Sequence, residues 1–350
     1  MKIPLFFSIS FFGFMLFSSC SLNKLQPLTQ LSPIPFQPKI QFQVSSNKII
    51  NNEPRLKGIY LSCYVTAAQE GKYFADDFAS LSDIAIVYVQ AKQYKQALSM
   101  IEKWEGGDSK NRVLAKIAEQ YADSRQYEQA LQVAESIDLS NTIYGASTRF
   151  SVLIQIIIEM TKVKQHNRAL KLAYQISDPT YRAIALARIA ESYAYIGNQE
   201  KAKGLFYQSL KIIDTVRDEQ IIKIVKSPRS SALSEISNSY VRLEQYEQAT
   251  HIAMMITSKT YQAITLSEIG VGYALKRQSE KAKETLNKAY QIARSQPKTG
   301  RWNYPFRNKD LTKVASAYAK AGFYDLSLEV INSIEKGRER LWSLIELSDI

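Results

Sequence analysis

Glycine, cysteine and histidine are the scarce residues of this sequence, and each scarcity removes a class of chemistry. The 350 residues include 13 Gly, 2 Cys and 2 His. So little glycine argues against a glycine-rich nucleotide-binding enzyme and against a turn-rich β-protein. With only two cysteines and two histidines, a Cys/His zinc site is almost excluded, and so is a disulfide scaffold. No metal and no cofactor is expected. The short catalytic signatures are missing as well: there is no G-x-S-x-G, no phosphate-cradling G-x-x-x-x-G-K-[ST], no H-E-x-x-H and no acidic calcium loop. These absences predict a protein that is not an enzyme.

What is present describes a folded protein. Hydrophobic residues make up 45% of the chain and charged residues 22%, too apolar for a disordered chain. The net charge of +12 is unevenly spread, since residues 201–313 carry twenty basic and ten acidic side chains. A basic surface attracts nucleic acid, anionic lipid or an acidic protein. The plainer reading is a solvated, Lys-rich helix face.

The first twenty residues have their own pattern. Met1-Lys2 precedes an apolar run from Ile3 to Phe17, and Ser18-Ser19-Cys20 closes it. This is the layout of a secretory signal peptide, with a run short of the ~20 residues that a membrane span needs. The ending Leu16-Phe17-Ser18-Ser19-Cys20 resembles a bacterial lipobox, with Phe17 where that family has Leu. The resemblance implies cleavage after residue 19 and a lipid on Cys20. An ordinary cleaved signal and an uncleaved anchor are the other two fates of such a segment. With Cys20 lipidated, Cys63 is the one thiol left and no internal disulfide is possible. Residues 20–54 hold Pro27, Pro33, Pro35, Pro38 and Pro54 without a helical apolar period, and read as a disordered, extended tether.

From residue 80 the chain repeats itself. Blocks begin at Leu81, Leu114, Leu153, Leu186, Leu233, Leu266 and Leu311. Three residues on stands Ile84, Ile117, Ile156, Ile189, Ile236, Ile269 or Val314. Four further on stands Tyr88, Tyr121, Tyr193, Tyr240, Tyr273 or Tyr318, with Met160 the exception. Nine beyond that comes Ala97, Ala130, Ala169, Ala202, Ala249 or Ala282, with Ser327 in the last block. Spacings of three and four put Leu, Ile and Tyr on one helix face. The small residue falls on a second helix, where close approach forbids bulk. Gly197 and Gly322 mark the turn between the helices in two blocks.

This pattern resembles the tetratricopeptide repeat family across residues 81–350. Leu replaces the family's leading Trp throughout, and its closing Pro is missing. The resemblance implies an all-α fold: a right-handed α-solenoid of about seven helix pairs over residues 80–350 with a C-terminal capping helix. Leu344 lies 33 residues after Leu311, so the last residues open an eighth block. A lone terminal helix covering the final apolar face suits a solenoid. Residues 55–79 are expected to form a helical cap at the other end. Intervals between blocks alternate between 33 residues and 39 to 47, which suggests a two-repeat module.

A solenoid offers a concave face lined by first helices, where peptides or helices dock. One tetratricopeptide subclass grips a C-terminal carboxylate through Lys and Asn. At its Lys positions this chain has Ser82, Ala115, Ala187, Ser234 and Ser267, and only Asn238 falls where it has Asn. That activity is therefore not expected. Lys116 with Glu119, and Arg188 with Glu191, either face a ligand or bridge one helix turn. A connection containing Arg301 and Trp302 offers aromatics among arginines, which either grip a partner or fold back over a repeat edge. His166 replaces a repeated Tyr and is read as packing. The functional expectation is a scaffold for a protein or peptide partner, exported and held at a membrane by its lipid. A basic solenoid binding nucleic acid or another polyanion is the alternative, disfavoured by an exported address.

Overall fold

The computed structural model describes residues 78–102, 107–139, 145–221, 224–298 and 306–348. The signal, the tether, nearly all of the N-terminal cap, Cys20, Arg301 and Trp302 lie outside them.

The recurring Leu, Ile and Tyr produce what their spacing predicts. Seven helix pairs follow one another: α1 (Phe78–Gln90) with α2 (Tyr94–Ile101), α3 (Asp108–Asp123) with α4 (Tyr127–Glu135), α5 (Gly145–Lys162) with α6 (His166–Gln175), and α7 (Pro179–Tyr195) with α8 (Gln199–Ile213). Then come α9 (Pro228–Arg242) with α10 (Tyr246–Met254), α11 (Lys259–Leu275) with α12 (Ser279–Arg294), and α13 (Phe306–Lys320) with α14 (Tyr324–Ser333). A lone helix, α15 (Arg338–Ser348), ends the series. The described fold is an all-α, tetratricopeptide-like solenoid.

Every pair turns through a three-residue link, and the middle residue of each link has a left-handed backbone. Gly197 (φ +82°) and Gly322 (φ +80°) take this role at no steric cost. Lys92, Arg125, Lys164, Glu244 and Arg277 take it too, with φ between +58° and +63°. The next amide bonds back to the Tyr carbonyl of the first helix: Gln93 N to Tyr88 O at 2.9 Å, Gln245 N to Tyr240 O at 2.9 Å, Phe323 N to Tyr318 O at 2.9 Å. This closing bond satisfies a carbonyl that the helix end leaves free. The repeated Tyr thus serves twice, its ring in the core and its carbonyl in the turn.

The described residues divide into two compact units, those up to 120 together with those in 135–148, and those in 121–134 together with those from 149 on. In the first unit Ala85, Tyr88, Ala97, Val113, Ile117 and Ala118 are buried. Asn111 fastens the segment after α4 there, donating to Asp138 O at 2.8 Å and accepting from Asp138 N at 2.9 Å.

The second unit holds the larger core. Leu186, Leu233, Leu266 and Leu311 are wholly buried, and so are Ala169, Ala249 and Ala282 at the small position of their second helices. Where Ser replaces Ala, its hydroxyl finds a carbonyl across the pair, Ser237 to Ala249 O at 2.9 Å and Ser327 to Ala315 O at 2.8 Å. Rings pack between helices, Phe206 stacked on Tyr240 at 4.3 Å and Tyr246 tilted against Tyr273 at 4.9 Å. Pro179 and Pro228 sit in the first turns of α7 and α9, where a missing amide costs nothing.

The connection between α8 and α9 is more than a plain loop. It forms a two-stranded antiparallel hairpin, β1 (Glu219–Ile221) and β2 (Ile224–Lys226), with Gln220 opposite Val225. Asp218 holds its base, accepting from Ser230 N at 3.1 Å, from the Ser230 hydroxyl and from the Thr257 hydroxyl at 2.7 Å. Burial raises the Asp218 carboxyl, but these donors outweigh it and leave the group below its ordinary value. Beyond α12, Asp310 accepts from Thr260 at 2.8 Å and from Gln296, tying that connection to α11 and α13.

Candidate partner-binding groove

Positions two, five and nine residues after each leading Leu lie off the core face. In the second unit they form three rows on successive first helices: Arg188, Glu235, Glu268 and Lys313; Glu191, Asn238, Val271 and Ser316; Tyr195, Arg242, Leu275 and Lys320. α7 packs on α9, α9 on α11, α11 on α13, and α13 on α15, so the rows run side by side.

At one end lies a charged cluster. Glu191, buried on α7, takes Arg188 Nη1 at 2.7 Å and Arg242 Nε at 2.8 Å. Arg242 also donates to Ser239 Oγ at 3.0 Å, and Tyr195 donates to Arg242 O at 2.8 Å. Burial pushes the Glu191 carboxyl up, while Arg188 pulls it back. Glu235 still meets solvent, yet enough protein crowds it to push its carboxyl up, with Arg188 opposing. The side-chain carbonyl oxygen of Asn238 is shielded from water and has no hydrogen-bond partner among the described residues. A buried, unmatched acceptor costs about 1–3 kcal/mol.

At the other end α11, α13 and α15 frame a hollow of about 350 Å³. Val271 and Ala317 give it an apolar floor, Glu268 and Glu346 supply acids, and Lys313 and Lys320 supply bases. Beside it Leu275 is 74% exposed, an unusual setting for a leucine at a helix end. A second, wider hollow of about 570 Å³ lies near His166, Arg168 and Tyr193. His166 is engaged there in packing, its Nε2 3.0 Å from Ser192 Oγ and its ring 4.4 Å from that of Tyr193. Among the described residues no three His, Cys, Asp or Glu side chains gather as metal ligands.

The sequence candidates are thus placed as follows. Arg188 and Glu191 meet each other, and Arg242 joins them from α9. Asn238 stands on that same helix. Lys116 and Glu119 pair along one turn of α3 at 2.7 Å, in the first unit. The positions equivalent to the clamp lysines, Ser82, Ala115, Ala187, Ser234 and Ser267, are buried. Sequence reasoning missed Glu235, Val271, Leu275, Lys313 and Lys320. Reading the same offset from each leading Leu would have found them.

No family model matches the chain, and no curated protein matches it. Among solved structures it is similar to a signal-transduction ATPase with numerous domains carrying a tetratricopeptide repeat sensor, from Pyrococcus horikoshii. That likeness has 17% identity over 85% of this chain and 46% of the other, with a TM-score of 0.33. The chain spans just under half the length of that protein. The class is defined by the chain's own helix pairs: it is an α-helical repeat protein of tetratricopeptide-like construction.

Proposed function

We propose that this chain is a non-catalytic scaffold that takes a protein or peptide segment along the first-helix face of its second unit. The observation that carries this reading is the hollow between α11, α13 and α15, where acids, bases and an apolar floor come from three successive repeats. Such a site recognises a chain-shaped ligand, because each further repeat adds a contact along the same line. Oppositely charged rims supply register and specificity more than raw affinity. Export and a lipid on Cys20 complete the proposal. They rest on the Met1–Cys20 pattern alone. No helix among the described residues is long and apolar enough to cross a membrane.

A photo-crosslinking amino acid at Ser316 tests the groove against the same probe at Lys283 on the outer helix α12. In membranes from cells carrying a lipid label, one defined peptide segment should attach through Ser316 and not through Lys283. Equal attachment at both positions, abolished by salt, would replace this reading by polyanion binding to the basic face. Mass spectrometry of the mature N-terminus in the same preparation checks the anchor. An unmodified Cys20 removes that half of the proposal and leaves the groove standing.

A further inference from the structure

The charges along the groove of the second unit fall in an order. α9 presents Glu235, α11 presents Glu268 and then Val271 and Leu275, and α13 presents Lys313 and Lys320. Glu235, Glu268, Lys313 and Lys320 are all exposed, and none has an ion-pair or hydrogen-bond partner among the described residues. The guanidiniums at the α9 end are matched within the chain, since Arg188 and Arg242 both close on Glu191, at 2.7 Å and 2.8 Å. The open charge is therefore negative over α9 and α11 and positive over α13. Apolar surface lies between. Val271 and Ala317 floor the hollow, and Leu275 stands beside it, 74% exposed. Glu346 of α15 closes the hollow beyond Lys313.

We propose that the groove selects an extended peptide segment with a basic side chain at one end, apolar side chains in the middle and an acidic side chain at the other. The basic end lies over Glu235 and Glu268, the acidic end over Lys313 and Lys320. This selectivity rests on the first-helix groove being the binding face. The extended form follows from size. One turn of an α-helix, about 10 Å across and 5.4 Å long, fills about 400 Å³, whereas the hollow holds about 350 Å³. Packed helices stand about 8–10 Å apart, so α9 to α13 is about 16–20 Å, which roughly five or six extended residues cover. The two charged side chains of the ligand are separated by roughly that number. Overall charge would choose differently. Residues 201–313 carry twenty basic and ten acidic side chains, and attraction to that surface as a whole favours uniformly acidic segments. In the groove such a segment meets two carboxylates at α9 and α11, and a uniformly basic one meets two ammonium groups at α13. Like charges brought together are what reject a wrong partner. Protein crowding pushes the Glu235 carboxyl up with Arg188 opposing, and a cation from the ligand acts in the same direction as Arg188.

Panning a displayed library of random peptides, each about twelve residues and so about twice the span from α9 to α13, against the immobilised full chain tests the order. Enriched peptides should carry Arg or Lys and, roughly five or six residues away, Asp or Glu, with apolar residues between. Panning against Lys313→Glu with Lys320→Glu should exchange the acid of that pattern for a base. Glu235→Lys with Glu268→Lys should exchange the base for an acid. All four side chains face solvent, so far-UV helicity should be unchanged. For one enriched peptide, fluorescence anisotropy should show affinity falling at least ~tenfold on either double variant. Reversing the peptide's own charge at the matching end should restore it, which a misfolded variant would not allow. Ser316→Trp, which fills the hollow, separates this proposal from the groove reading beneath it. Peptides that lose binding to Ser316→Trp yet show no charge order, or are uniformly acidic, overturn the proposed selectivity and leave the groove standing. Enrichment that Ser316→Trp does not change, or no enrichment at all, overturns the groove reading and this proposal with it.

Discussion

Three glycines inside helices meet different surroundings, so one substitution applied to each measures the packing of the repeats directly. At Gly204 in α8 an added Cβ would find nothing within 4 Å. At Gly272 in α11 it would fall 2.4 Å from Tyr246 Cε1, and at Gly270 2.6 Å from Leu286 Cγ. Alanine in place of a helical glycine gains up to about 1 kcal/mol. Gly204→Ala keeps that gain and should stabilise by ~0.5–1 kcal/mol. Gly272→Ala has the same gain but must displace a ring that is 8% exposed and packed at a tilt 4.9 Å from Tyr273. Overpacking of this kind costs ~1–3 kcal/mol, so the net is a loss of up to about 2 kcal/mol. Gly270→Ala presses on the Cγ of Leu286, which is wholly buried, and should also lose stability. Urea unfolding followed by circular dichroism reads each as a midpoint shift at constant slope, with tyrosine fluorescence as a check that the transitions coincide. Gly204→Ala and Gly272→Ala moving the midpoint equally in one direction would refute the close approach of α10 to α11 at Tyr246.

Two further outcomes follow from the turns and the groove. Arg277→Gly relieves a side chain held at φ +60° and should raise the unfolding free energy from urea titration by up to about 1 kcal/mol, whereas Gly197→Ala should lower it by a similar amount; no change in either would mean the links are not left-handed. Glu235 has a carboxyl pushed up by the protein around it, so its ionised form costs stability at neutral pH and that cost disappears as pH falls through the raised value. Glu235→Gln should therefore raise the melting temperature at neutral pH and have no effect below the ordinary carboxylate range, while a gain that persists in acid would point to packing instead of charge.

The repeats were legible because one packing problem is solved seven times. Leu186, Ile189, Tyr193 and Ala202 recur in kind as Leu266, Ile269, Tyr273 and Ala282, and each set is buried. Two features were not legible. Left-handed links were visible at Gly197 and Gly322 but hidden at Lys92, Arg125, Lys164, Glu244 and Arg277, where the closing amide bond and the core hold an ordinary residue in place. The strands at 219–221 and 224–226 left no signal, because strands of three residues give too short a pattern to register. Their anchor, Asp218, is defined by partners 12 and 39 residues away, Ser230 and Thr257.

The groove was harder to read for the same physical reason that made the core easy. A core position is constrained by neighbours that repeat, so it repeats as well. The row two residues after the leading Leu reads Arg188, Glu235, Glu268, Lys313, and the row five after it reads Glu191, Asn238, Val271, Ser316. Nothing inside the solenoid demands that order. Part of it is used internally, as when Glu191 joins Arg188 to Arg242 across α7 and α9. That network holds two guanidiniums close to their own carboxylate, so this part of the rows is fixed from within the chain. The positions where the repeats disagree are those that the repeated core leaves undetermined.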